Sequence, residues 1–258
     1  MTPDLEGRAT PGAEVALLAP GHWLLSIPAG PAGQYRLAQL DDYMRLPRAA
    51  LRWRPPLRLS LRARASGSSL PGTWGFGFWN DPFSARLGVG GTARRLPALP
   101  NAAWFFHASP PNYLALHDHH PAQGLLAATF AAPTLPAPAL ALVAPALPLL
   151  AWPPTGRLLR RLAARYVGED AARLTLDPTV WHSYAVEWRA EGVRFAIDGQ
   201  AAFETATSPR GPLGLVLWID NQYAAFPPDG RLRFGNLANP KPAWLELAGV
   251  AVEMDPCA

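Results

Sequence analysis

"WHSYAVEWRAEGVRFAIDGQ", residues 181–200, decides the fold. Tyr184, Val186 and Trp188 alternate with polar or small residues, the two-residue period of a strand with one buried face. Glu191-Gly192 turns the chain, and Val193, Phe195 and Ile197 repeat the period on a second strand. Asp198-Gly199 is a strong two-residue hairpin signal, because such a turn needs positive φ and glycine supplies it cheaply. The stretch therefore reads as two strands and the start of a third, within an antiparallel sheet.

The same pattern extends outward. In "LRLSLRARA" Leu57, Leu59, Leu61 and Ala63 face one way and Arg58, Ser60, Arg62 and Arg64 the other. "TWGFGFW" (73–79) follows a Ser/Gly/Pro turn and is expected to be its antiparallel neighbour. "LGLVLWID" (213–220) and "WLELAGVAVE" (244–253) add two strands, with Gly249 marking a bulge in the last. The chain has 258 residues, 49% of them hydrophobic, enough for one sizeable core, and 30 prolines and 22 glycines punctuate it. One domain, 1–258, is expected.

Charge is sparse: 16% charged residues, a net charge of +4, and Lys241 as the sole lysine. A nucleic-acid groove would cluster basic residues with stacking aromatics. No long cluster of that kind occurs, so a nucleic-acid partner is set aside. Cys257 is the single cysteine, so no internal disulfide forms and oxidising export is not implied. The N-terminal "MTPDLEGRATPG" is not a signal peptide as written, which makes cytoplasm the default location; a trimmed N-terminus would leave secretion open.

The middle of the chain differs. From His119 to Gly156 there is no Asp, Glu, Lys or Arg. Within this stretch, 132–154 is dense in Ala, Leu and Pro, and its prolines would break a membrane helix repeatedly. "GRLLRRLAARYVG" (156–168) follows, with Leu158, Leu159, Leu162 and Tyr166 on roughly one helical face and Arg160, Arg161 and Arg165 largely elsewhere. Residues 132–168 thus read as a Pro-rich insertion plus a short basic amphipathic helix. It either packs on the sheets or offers 132–166 to a membrane surface or to a second copy.

The order of these pieces resembles the family-16 glycoside hydrolases of the concanavalin A-like lectin/glucanase group. "WHSYAVEWRAEGVRFAIDGQ" looks like that family's hairpin, with its Tyr-x-x-x-Trp and Phe-x-x-Asp-Gly strands. "LRLSLRARASGSSLPGTWGFGFWND" looks like its outer strand, Gly/Pro loop and Trp-bearing cleft strand. "GPLGLVLWIDNQ" resembles a later cleft strand and "WLELAGVAVE" the closing strand. The resemblance implies an all-β fold, a β-jelly roll sandwich of two curved antiparallel sheets whose concave face binds glycans. It also implies that a structural calcium is possible, held partly by backbone carbonyls; no other cofactor is expected.

The pleat supports a groove independently. Gly75, Gly77 and Trp79 share one strand face, and Trp218 shares another with Val216 and Asp220. Missing side chains beside indoles would form a platform for the apolar face of a sugar ring, with Asp and Asn bonding its hydroxyls. The alternative places Trp79 and Trp218 in the core between sheets. Trp79, Asn80, Trp104, His107, Trp218, Asp220 and Asn221 are the expected ligand contacts.

Catalysis is another matter. A retaining glycosidase needs two carboxyl groups about 5–5.5 Å apart. The family carries them as E-x-D-x-x-E on the strand that matches "NAAWFFHAS" (101–109), where the three positions fall on Ala102, Trp104 and His107. No E-x-D-x-x-E occurs in the chain. A carbohydrate-binding module without hydrolysis is the leading expectation. The alternatives are a hydrolase with acids displaced to Asp81, Asp118 or Asp220, and a structural or membrane-surface module. In "LHDHH" (116–120), His117 and His119 alternate, so they share a face in an extended segment and are the candidate metal pair, with Asp118 or His107 nearby; a solvated loop is the alternative. Asn-Asp-Pro also makes Asp81 a natural turn residue.

Overall fold

The computed structural model describes residues 2–82, 98–133 and 152–254. Most of the Pro-rich insertion lies outside them. The strands are β1 (Glu6–Ala9), β2 (Glu14–Ala19), β3 (His22–Ile27), β4 (Leu37–Asp41), β5 (Leu57–Ala65), β6 (Thr73–Trp79), β7 (Ala102–Ala108) and β8 (Gly124–Ala131). Helix α1 (Pro153–Tyr166) follows, then β9 (Gly168–Arg173), β10 (His182–Trp188), β11 (Val193–Ile197), β12 (Gln200–Thr205) and β13 (Gly214–Asp220). The last strands are β14 (Gln222–Ala225), β15 (Arg233–Asn236) and β16 (Ala243–Met254). Two seven-stranded antiparallel sheets form, ordered β1-β4-β13-β6-β7-β8-β9 and β12-β11-β10-β5-β16-β3-β2. This is the expected jelly-roll sandwich.

The deciding stretch folds as read. Tyr184, Val186, Trp188, Val193 and Phe195 are buried, and Asp198 and Gly199 turn with φ of 50° and 79°. His182 closes the hairpin: its Nδ1 lies 2.6 Å from Asp198 Oδ2, while Ser183 N–H donates to Asp198 Oδ1 at 2.8 Å. Gly249 stands at φ 64° where the β16–β5 register shifts, the expected bulge.

One pairing differs. β5 and β6 are not neighbours: β5 lies between β10 and β16, and β6 between β13 and β7. Side-chain chemistry explains the crossing. β5 alternates leucine with arginine and suits a sheet with one face in water. β6 is apolar on both faces, and six of its seven residues are buried. It belongs in the first sheet, which is covered on both sides. Trp74, Phe76 and Phe78 point between the sheets, against Leu57, Leu59, Tyr184 and Trp188. Trp104, Phe106, Val216 and Trp218 form a separate cluster on the opposite face.

The strand ends are tied by polar side chains. Asn80 donates from Nδ2 to Leu99 O at 2.9 Å and accepts from Asn101 N–H at 3.0 Å. Asn101 in turn accepts from Ala132 N–H at 3.1 Å and Arg210 N–H at 2.7 Å, and donates to Ala132 O at 3.1 Å. Asn80 is thus a strut between β6 and β7, and its side chain is committed to backbone rather than to a ligand. Asn101→Ala would strand the buried N–H and carbonyl of Ala132 and the partly buried N–H of Arg210; urea denaturation is expected to register a loss of about 3 kcal/mol.

Candidate binding site on the covered face of the first sheet

Strand alternation sends Thr73, Gly75, Gly77 and Trp79 of β6, Trp104 and Phe106 of β7, and Val216, Trp218 and Asp220 of β13 to the outer face of the first sheet. Register then decides which side chain lies over which. Trp218 sits opposite Gly75, and Gly75 opposite Phe106; Gly77 sits between Val216 and Trp104. A Cβ on Gly75 would stand 2.8 Å from the Trp218 ring, and one on Gly77 2.6 Å from the Trp104 Cβ. The two glycines therefore do not form an empty platform. They make room for indoles of the flanking strands to lie across β6.

Three indoles converge there. Trp104 is centred 5.5 Å from Trp218 and 5.7 Å from Trp79, and the Trp79 and Trp218 planes are within 8° of parallel. They are not sandwiched between the sheets. Neither are they open: Trp104 and Trp218 are 7% and 8% exposed. Loops close over them. Asn112 anchors one loop through its carboxamide, which donates to Ser109 O at 2.9 Å and accepts from Ala224 N–H at 3.0 Å. Glu169 Oε2 holds the same loop by accepting from Leu116 N–H and His117 N–H at 2.7 and 2.9 Å. The anticipated trough is reduced to a cavity of about 90 Å³. Half-buried Tyr35, Met44, Trp79 and Leu114 stand at its margin.

The polar groups in this cavity are few. Asp220 Oδ1 accepts from the Thr73 hydroxyl at 2.7 Å and from the N–H groups of Thr73 and Gln222 at 3.2 Å each. The Thr73 hydroxyl accepts in turn from Trp218 Nε1 at 2.9 Å, so an indole and a carboxyl are linked through one oxygen. Burial pushes the Asp220 pKa up to about 7, against the pull of those hydrogen bonds. The Tyr35 hydroxyl is raised by its own burial and then by the Asp220 charge. Gln39 and Gln222 complete the polar lining.

Asp81 also lines the cavity, buried at φ 47°. Its carbonyl accepts a hydrogen bond from Arg48, as fits a turn residue. Asp220 faces Thr73 at one end of β6, and Asp81 lies two residues beyond the other end. Six residue steps of strand span roughly 20 Å. That separation is far from the spacing of about 5–5.5 Å that a retaining pair requires.

Several expected residues are elsewhere. Asn221 is fully buried, with Arg36 N–H bonded to its oxygen and its own nitrogen bonded to Gln34 O and Leu237 O. It is a structural bracket. His107 follows the alternation of Phe105, not Phe106, so it turns to the inter-sheet side and stacks on Trp74 at 5.4 Å. Burial lowers its pKa to about 4. Asp118 lies outside the lining of this cavity, on the β7–β8 loop beside α1, and its Oδ1 accepts from Arg160 at 2.6 Å. The His117 and His119 rings lie 5.5 Å apart with His120 beside both. Among the described residues no group of three His, Cys, Asp or Glu side chains suits a metal ion. The histidine pair therefore finds no third side-chain ligand among them.

Tyr35, Gln39, Met44, Leu114 and Gln222 were not foreseen. Gln39 alone had a signal, as a polar residue inside the apolar strand "LAQLD". The others lie in short or irregular segments with no periodicity to read.

No family model matches the chain, and no curated protein is similar to it. Solved structures are. A legume lectin-like domain from Entamoeba histolytica matches 98% of this chain and 90% of its own, with a TM-score of 0.49 and 7% identity. The Bacillus licheniformis beta-glucanase matches 93% and 82%, with a TM-score of 0.45 and 10% identity. A beta-1,3-glucanase from Mycobacterium marinum matches 90% and 74%, with a TM-score of 0.40 and 11% identity. Likeness at that level transfers no residue role and no activity.

Two measurements probe this face. Gly75→Ala pushes a methyl against the Phe105 carbonyl as well as the Trp218 ring and is expected to cost about 1–3 kcal/mol in chemical denaturation. Asp220 has a folded pKa above its unfolded value, so its contribution is favourable at acid pH and is lost as pH rises from about 4 to about 7. Asp220→Asn should therefore gain stability relative to wild type across that window. Paired denaturation curves at pH 4.5 and 7.5 check it; a constant difference contradicts the assignment.

Proposed function

We propose that the cavity on the covered face holds a single sugar ring and does not cleave it. The observation that carries this reading is the meeting of three indoles with one buried carboxyl and two glutamine amides in one small, partly open space. Indole faces match the axial C–H surface of a pyranose, while Asp220, Gln39 and Gln222 supply acceptors and donors for hydroxyls. A volume of about 90 Å³, the share of roughly three waters, takes a pyranose only in part, with the rest of the ring at the margin beside Tyr35 and Leu114. It favours the terminal ring of a glycan over the middle of a long chain, which would need an open trough. The motif resemblance at 181–200 points to the same ligand class.

The separation of Asp81 from Asp220 supports binding without hydrolysis. A second reading, a glycoside hydrolase, draws on Asp220 alone: a carboxyl with a pKa near 7 is protonated often enough to act as a general acid at neutral pH. Reducing-end release from β-glucans distinguishes the two, and turnover abolished by Asp220→Asn would favour the hydrolase.

Titration of mono- and oligosaccharides against intrinsic tryptophan fluorescence tests binding directly. Saturable quenching is expected, reproduced by isothermal calorimetry. Ala224→Leu, which fills the cavity from its margin, should weaken affinity at least tenfold while the thermal transition is retained. No response to any glycan, or an unchanged affinity in Ala224→Leu, would remove the sugar from this cavity.

A further inference from the structure

Helix α1 packs in an unusual sense. Gly156 allows contact so close that a Cβ there would overlap Gly230 O. One turn later Arg160 is buried, 5% exposed. Its Nη1 donates to Ala115 O at 2.6 Å and Phe226 O at 2.7 Å, its Nη2 to Asp118 at 2.6 Å, and its guanidinium lies over Tyr113 at 5.4 Å. A glycine and a fully bonded arginine thus set the rotation of the helix. The consequence is that Leu158, Leu162 and Tyr166 are turned outward, 50%, 43% and 59% exposed, with Trp152 at 64% just before the helix.

At four-residue intervals beside this apolar rib runs a second one, Arg157, Arg161 and Arg165. α1 contains no acidic residue, and none of these three arginines makes an ion pair among the described residues. The nearby carboxylate of Asp118 is already engaged by Arg160. An open groove of about 550 Å³ lies at the foot of the rib, lined by His117, His119, Arg157 and Arg161 together with the Asp118–Arg160 pair.

We infer that α1 is a docking surface for an anionic lipid membrane. Such a surface offers an apolar layer and a layer of negative phosphates at adjacent depths. Leu158 and Leu162 enter the acyl boundary, Trp152 and Tyr166 sit at headgroup level, and the arginine rib meets the phosphates, one of which fits the groove. Charge argues against a second copy of the chain as occupant. Joined about this helix, two copies would bring unneutralised arginine ribs together. The helix lies on the surface and does not cross: no helix among the described residues is long and apolar enough to span a bilayer. This inference is independent of the sugar-binding reading.

The test is vesicle flotation of the full chain with phosphatidylcholine alone and with 30% phosphatidylglycerol, roughly the charge density of an anionic leaflet. Binding is expected only to the anionic vesicles and should weaken as salt rises. Arg157→Gln/Arg161→Gln/Arg165→Gln should lower the partition coefficient roughly a hundredfold. Leu158→Gln/Leu162→Gln should also release the protein, with its thermal transition unchanged because both positions are exposed. Wild type that ignores anionic vesicles, or binds them equally in both variants, overturns the inference. So does a change of oligomer size in the leucine variant when wild type does not float.

Discussion

Everything on the covered face depends on what Gly75 and Gly77 lack. β6 is a central strand whose other side chains, Trp74, Phe76 and Phe78, already fill the space between the sheets. A Cβ at either glycine would meet a ring or a backbone from β7 or β13. Removing two side chains lets the large residues of neighbouring strands spread sideways across β6 instead of standing upright. The result is a second aromatic layer on the back of the first. A sheet with apolar residues on both faces must be covered on both, and the loops carrying Asn112 and Leu114 supply the cover.

Buried acids in that cover are handled in two ways. Asp41 has both oxygens engaged, by Arg8 and Gln39 on one side and by the N–H groups of Tyr43 and Met44 on the other. Asp42 accepts from Trp53 Nε1 and Leu215 N–H. Both are hooks that hold the turn after β4. Asp220 differs. Two N–H groups and a hydroxyl crowd on one Asp220 oxygen while the carboxyl is sunk among indoles, so burial outweighs hydrogen bonding and favours the neutral acid. A group poised in this way responds to anything that changes the water content of the cavity.

Helix α1 shows how a single buried cation can invert an amphipathic pattern. Burying an arginine is tolerable only when its donors are satisfied, and Arg160 has a carboxylate, two carbonyls and a tyrosine ring to satisfy it. Once it is fixed, rotation of the helix is no longer free, and the leucines go where the arginine does not. Hydrophobic content alone would have turned the helix the other way.

The period-two alternation at 57–65, 181–200 and 213–220 and the Asp198-Gly199 turn were sufficient to establish antiparallel strands and which residues share a face, because those are local consequences of the pleat. Trp79, Trp104 and Trp218 were expected as ligand contacts, and it is the register of β6, β7 and β13 that brings the three indoles together. Alternation and turn signals did not reveal that β5 and β6 belong to different sheets, since a short loop can join neighbours or cross between layers with the same residues. Asn80 and Asn221 were misplaced because a polar residue near a site carries no local sign of its hydrogen-bond partner, whereas the alternation that turns Trp104 outward already turns His107 inward. The depth of the cavity, the charge state of Asp220 and the outward turn of Leu158 and Leu162 arise from contacts between segments distant in the chain. Alternation is a property of neighbouring residues, whereas burial is a property of whatever else arrives to cover them.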